Sequence, residues 1–222
     1  MTTISSSDIM TQYTDRKDKT YEFAKGFDED GDFVLLSNDG KAFKVQTYQL
    51  KAFSPVFLDM LQTCGPDQKQ EIELDASEPA VRLFALALKG SSEKSNITEL
   101  QIIKEAIDLC ERYNAPFLGR QLLATIRTNS INLVGKFELL VCASKVDDIF
   151  VGSKLLMDSN LEEYYTVSRM SRMSRLPSTW VFAILKALEG SRATRGSIST
   201  KYYWLMVSGE FVQIMEEVSG AI

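Results

Sequence analysis

Few residues in this chain have the type and spacing that chemistry needs. Asp28-Glu29-Asp30-Gly31-Asp32 sets carboxylates at alternating positions, as a calcium loop does. Such a loop needs glycine at its sixth position and a bidentate glutamate at its twelfth. Counted from Asp28, those positions hold Phe33 and Asp39, so the run reads as a solvated acidic turn ahead of a strand. The thiols are Cys64, Cys110 and Cys142, an odd number with no C-x-x-C pair. A cysteine nucleophile needs a base beside it, and the chain has no histidine. Cys110 and Cys142 fall on apolar helix faces and read as core residues. Cys64, in a loop, reads as inert as well. Ser168 to Arg175, SRMSRMSR, repeats a basic triplet that suits nucleic acid or a basic-directed kinase. No aromatic residues alternate with its arginines to stack bases, so it reads as a passive, solvated face. There is no G-x-S-x-G and no glycine-rich phosphate loop. No catalytic, cofactor-binding or metal-binding residue is expected, and the chain reads as non-enzymatic.

Composition sets the compartment. The 222 residues suffice for one large or two small domains, and a hydrophobic content of 45% supports a real core. A net charge of -5 argues against a general polyanion binder. Widely spaced, unpaired cysteines point to a reducing, intracellular setting, cytoplasm or nucleus. No apolar run reaches about 18 residues, so no membrane span is expected. The first residues lack an apolar signal core, and no secretion is expected.

The elements that would position any site centre on residues 31–61. Phe33, Leu35 and Ser37 alternate with Val34 and Leu36, a strand pattern. Asn38-Asp39-Gly40 supplies the positive φ of a hairpin turn. Phe43 and Val45 alternate along the return strand. Then the period changes: Leu50, Phe53, Val56, Phe57, Met60 and Leu61 recur three and four apart, as on a helix. Ser54-Pro55 breaks this run in two, with Ser54 as N-cap and Pro55 at the first helical position.

In order and spacing, Asp32, Phe33, Val34, Asp39, Gly40, Phe43, Val45, Leu50, Ser54, Val56, Phe57 and Met60 resemble a BTB/POZ domain. Gln46 stands where that family usually has histidine. The resemblance implies an α+β fold, a small sheet flanked by helices, over residues 21–128. It implies a protein-interaction module that acts as an oligomerising scaffold or adaptor, similar to short free-standing BTB proteins of fungi. Some family members are substrate adaptors for cullin-type ubiquitin ligases and carry an apolar-x-Glu motif in the loop after the second helix. Here the glutamate of that loop is Glu71, and Lys69 stands at the apolar position, so the motif is missing.

The rest of the chain is arranged around that stretch. Residues 1–20 are polar and read as a flexible tail. A strand is expected over Glu71 to Asp75 with Ile72 and Leu74 inward. A helix capped by Asp75 or Ser77 follows, with Pro79 in its first turn, and then helices over Leu100 to Tyr113 and Phe117 to Arg127. Residues 129–222 read as an all-helical extension, similar to the BACK segment of related adaptors. Its stripes are Ile131, Val134, Phe137, Leu140 and Val141; Ile149 to Met157; Trp180, Val181, Ile184, Leu185 and Leu188; and Trp204, Leu205, Phe211, Val212 and Met215. The expected interaction surface comprises Tyr21, Phe23, Phe27, Tyr48 and Phe53. These residues are too few for an obligate interface, so a weak, micromolar homodimer is expected, with cullin binding weaker still. The remaining alternative is a ligand-binding or enzymatic pocket in the helical half.

Overall fold

The computed structural model describes residues 12–63, 70–90, 99–126, 131, 133–157, 173–191 and 200–220. The fold is mixed α+β, with five strands and nine helices among the described residues. It divides into two compact units, the first ending at Leu122 and the second beginning at Leu123. The boundary expected after Thr128 falls outside the described residues.

The sheet of the first unit contains β1 (Gln12–Thr14), β2 (Thr20–Phe23), β3 (Phe33–Leu36), β4 (Lys41–Val45) and β5 (Glu71–Glu73), in the order β1-β2-β4-β3-β5. β3 and β4 form the hairpin read from Asp39-Gly40, with Leu36 opposite Ala42 and Gly40 at φ 92°. β5 lies parallel to β3, and β2 lies parallel to β4. Gly31 is held at φ 150°, and a Cβ there would lie 2.5 Å from the Val45 main-chain nitrogen. Glycine is therefore needed where the chain enters β3 alongside β4. Gln12–Thr14 pairs with β2, so the tail expected over residues 1–20 gives way to ordered strand by residue 12.

Strand alternation separates two faces. Phe33, Leu35, Phe43 and Val45 share one, and Phe33 on it meets Phe57 with ring centroids 6.4 Å apart. Phe57 belongs to α2 (Pro55–Thr63), which follows α1 (Thr47–Phe53) across Ser54. The capping role read for Ser54 is present: its Oγ accepts the Phe57 N–H at 3.1 Å. The same hydroxyl donates to the Tyr113 carbonyl at the end of α4 (Leu100–Arg112). Phe57 is wholly buried, stacked on Tyr113 at 4.6 Å and tilted against Phe84 of α3 (Glu78–Leu88) at 6.5 Å. α5 (Pro116–Ala124) follows, with Leu118 and Leu122 buried.

Two aspartates of the hairpin region start helices that are distant in sequence. Asp32 accepts the Thr47 N–H of α1 at 2.6 Å, and Asp39 accepts the Glu78 N–H of α3 at 2.8 Å. The expected cap of α3 is thereby corrected. Ser77 occupies the N-cap position, but its hydroxyl donates to Glu105 at 2.5 Å, and the capping carboxylate is that of Asp39. A carboxylate is favoured there by the positive end of the helix dipole.

The second unit is helical throughout its described residues: α6 (Leu133–Lys145), α7 (Ile149–Met157), α8 (Ser178–Gly190) and α9 (Thr200–Gly220). Its centre is Trp180, 1% exposed, edge-on to Phe211 at 5.2 Å, with its indole N–H donating to Asp147 at 3.1 Å. The Trp180 ring lies over Gly152, where a Cβ would come within 2.6 Å of it. Of the expected stripes, Phe137, Leu140, Val141, Trp180, Ile184, Trp204, Phe211 and Met215 are buried. Val134, Leu185 and Leu205 are exposed instead, because the packed faces of their helices are completed by Leu139, Ala183 and Val207.

Phe57→Ala is expected to cost about 3–5 kcal/mol, as for other buried aromatic truncations, and urea melts measure this directly. Gly152→Ala, on helix propensity alone, would stabilise by about 1 kcal/mol. Here the expected result is a loss of about 1–3 kcal/mol, because the methyl group overpacks against Trp180, and thermal melts decide the sign.

Candidate protein-interaction surface

The five aromatic residues expected to form an interaction surface do not end up together. Tyr21 and Phe27 are core residues, 1% and 3% exposed. Tyr21 sits on the sheet face opposite the helices, beneath the sheet's own curl. Phe27 packs edge-on against Phe43 at 5.1 Å and is roofed by Lys89, whose Nζ lies 4.2 Å from the ring centroid, and by Arg82 at 5.6 Å. The Lys89 ammonium and the Arg82 guanidinium also bond the Gly26 and Lys25 carbonyls, which pins the segment down. Phe23 is half-buried against Tyr13. Residues 21–27 therefore form part of the core rather than an apolar patch on the surface.

Tyr48 is 67% exposed on α1. Phe53, at the end of the same helix, is half-buried and lies parallel to Phe117 of α5, with centroids 5.4 Å apart and the planes at 1°. Phe117 itself is 52% exposed, and Val56 on the first turn of α2 is exposed too. Together these residues give the α1–α2 pair and the start of α5 an apolar exterior. The sequence reading placed Val56 with the core stripe. Phe57 and Leu61 fill the inner face of α2, which leaves the adjacent Val56 outside. Phe117 was missed: its place at the start of α5 gave no sign in the sequence of which side it would face.

The second unit carries its own exposed apolar side chains, Phe182 and Leu185 on α8 and Tyr202, Leu205 and Met206 on α9. Lys186 Nζ lies 5.7 Å from the Phe182 ring centroid and covers part of that face.

The remaining candidate residues are engaged elsewhere. Asp32 is committed to capping α1, so the acidic turn is tied to the fold. Burial pushes the Cys110 thiol up to about 12, which keeps it protonated and unreactive at neutral pH. Cys142 is buried as well. Cys64 and residues 168–172 of the basic repeat lie outside the described residues. Arg175, the last arginine of the repeat, is not simply solvated. It forms a bidentate pair with Glu138, one bond at 2.9 Å, and this hydrogen bonding raises its pKa. An exposed pair of this kind contributes about 0–1 kcal/mol. Among the described residues no helix is long and apolar enough to cross a membrane.

No protein-family model matches the chain, and no curated protein matches it.

Tyr48→Ser is expected to change stability by less than about 0.5 kcal/mol, since the ring is solvated. Phe117→Ala, which removes the ring stacked on Phe53, is expected to cost about 0.5–1.5 kcal/mol by chemical denaturation.

Proposed function

We propose that this chain is a non-enzymatic protein-interaction module of BTB/POZ type, an oligomerising scaffold or adaptor with a BACK-like helical second unit. The observation that carries the reading is the order and pairing of elements in the first unit. A hairpin (β3–β4) leads into two short helices, then a strand parallel to the first strand of the hairpin, then three helices. The residues that resemble the family sit at its joints: Asp32 and Asp39 as helix caps, Ser54 between the helices, Phe57 in the core. The exposed aromatics of α1 and α5 supply a surface for a protein partner, since rigid aromatic side chains contribute most per residue at interfaces. The setting proposed is intracellular, in line with the widely spaced cysteines and the burial of Cys110 and Cys142.

The partner proposed first is a second copy of the chain, bound weakly. A stable interface buries about 1,200–2,000 Å² in total, and Tyr48, Val56, Phe53 and Phe117 form only the apolar centre of such an area. Sedimentation equilibrium should show mass rising with concentration in the micromolar range. The double variant Tyr48→Ser, Phe117→Ser should weaken that association at least ~10-fold, as loss of two interface anchors does. A dimer that persists at nanomolar concentration, or one indifferent to the double variant, would overturn this assignment. Robust co-purification with a cullin would move the reading to a ubiquitin-ligase adaptor.

A further inference from the structure

The sheet face turned away from the helices carries Val34, Leu36 and Ala42, which form a buried cluster with Tyr21. All four are strand residues, so the chain's own first hairpin is what closes this face. β1 lies at one edge of the sheet and β5 at the other, yet the curl brings Tyr13 and Arg16 within bonding distance of Glu71 on β5. Tyr13 and Phe23 pack against the cluster, edge-on to each other at 5.9 Å.

The hairpin is held in two different ways at its two sides. Toward β4 it makes a short parallel ladder, in which the Glu22 N–H donates to Gly40 at 3.1 Å and the Ala24 N–H to Ala42 at 2.9 Å. Toward β5 the bonds run to carboxylates. Glu71 accepts the Tyr13 hydroxyl and, at 2.9 Å, the Arg16 main-chain N–H, and the Arg16 guanidinium lies 3.6 Å away. Glu73 faces Lys19 at 3.3 Å and Lys17 at 3.7 Å. Asp15 shapes the turn by accepting the Lys17 and Lys19 N–H groups at 2.8 Å each. The Tyr21 hydroxyl lies between Asp15 at 3.4 Å and Glu73 at 3.5 Å. The other charges nearby are Asp18, exposed in the turn; Glu22, paired with Lys41 at 2.6 Å; and Lys44, bonded to the Asp28 carbonyl and lying over the Phe23 ring.

We propose that β1–β2 is a latched strap, a cover whose turn is shaped by Asp15 and which is held to β5 by Glu71 and Glu73, and that it opens as a unit ahead of the rest of the first unit. Its opening uncovers Val34, Leu36 and Ala42 and frees the main-chain edge of β4. Charge-assisted bonds are about twice as strong as neutral ones, and the stronger hold is Glu71, whose side chain is 9% exposed, while the exposed pairs of Glu73 add little. The ladder on the other side is short, and short ladders with solvated bonds open at low free energy. Neutralising the carboxylates weakens the stronger hold and leaves the hairpin on the weaker one.

Burial raises the Asp15 pKa, but the Lys19 and Lys17 N–H groups, the Tyr21 hydroxyl and the Lys17 charge outweigh it, leaving the carboxyl below its ordinary value. A lowered pKa means that the stabilisation is present above the ordinary value, about 3.9, and is lost as pH falls through the folded one. Burial, and then its bond to Glu71, raises Tyr13; bonds to Tyr21 and Glu73 raise Lys19. Both keep their protons through neutral pH, so the strap is closed there, and on the acid side the loss of the Asp15 bonds loosens its turn.

Amide hydrogen exchange on the full chain tests this at pH 7. In Glu71→Gln with Glu73→Gln, and in Asp15→Asn, the Glu22 and Ala24 amides should exchange at least ~10-fold faster, as sub-global opening does. The Leu58 and Tyr113 amides of the helical core should keep their wild-type rates. Unchanged hairpin amides in both variants, or hairpin and core accelerating by the same factor, would overturn the proposal. Should either variant fail to fold, wild-type exchange followed from about pH 5 toward about pH 2 and corrected for intrinsic rate serves instead. Loss of hairpin protection before core protection supports the strap, and simultaneous loss overturns it.

Discussion

Ser54 is 2% exposed, and its hydroxyl is shared between the Phe57 N–H within α2 and the Tyr113 carbonyl at the end of α4. A buried hydroxyl without partners would be destabilising by a few kcal/mol; with both bonds made, it ties a helix start to a helix end 59 residues away. The two residues it joins also stack on each other, Phe57 on Tyr113 at 4.6 Å. The polar bond thus sets the distance at which the apolar contact is good, and the Phe33 and Phe84 rings close around Phe57 from sheet and helix. The α1–α2 turn, the sheet and α3 all meet at this point, and the exposed side of α1–α2 is the surface left over when it is formed.

The sheet governs the helices electrostatically as well as by packing. Asp32 and Asp39 bracket the hairpin strand β3 and its turn, and the carboxylate of each accepts a main-chain N–H at the start of a helix. Both helices lack a side-chain cap of their own: Gln46 and Ser77 stand at the N-cap positions without capping bonds. A change in the hairpin therefore reaches α1 and α3 without passing through the core. Gly31 and Gly40 share in this arrangement, since their positive φ values place the two aspartates at the ends of β3.

The second unit solves its packing by other means. Gly152 on α7 gives space to the Trp180 indole, and Asp147, at φ 50°, turns its carboxylate to the indole N–H. Asp148 beside it caps α7 through the Val151 N–H at 3.0 Å. Large aromatic cores of this kind leave the opposite helix faces free, and Phe182, Tyr202 and Leu205 lie there.

The sequence by itself determined the β3–β4 hairpin, the Ser54-Pro55 break, the buried place of Phe57 and the helices that follow, because each rests on local chemistry. Glycine's positive φ, a hydroxyl before a proline and a change of apolar period from two to three or four are all legible within a few residues. Tertiary structure alone decided which partner each polar group takes. Ser77 is a plausible cap in isolation and turns instead to Glu105, while the cap comes from Asp39, far back in the chain. It also decided which apolar residues are covered. Tyr21 and Phe27 look like a surface patch by composition, yet the curl of the sheet and the side chains of Arg82 and Lys89 bury them. Periodicity says which residues share a face, but covering that face takes a second element whose arrival depends on long-range geometry. For that reason the outward place of Tyr48 on α1 was readable from this sequence, and the burial of Tyr21 and Phe27 and the exposure of Val56 and Phe117 were not.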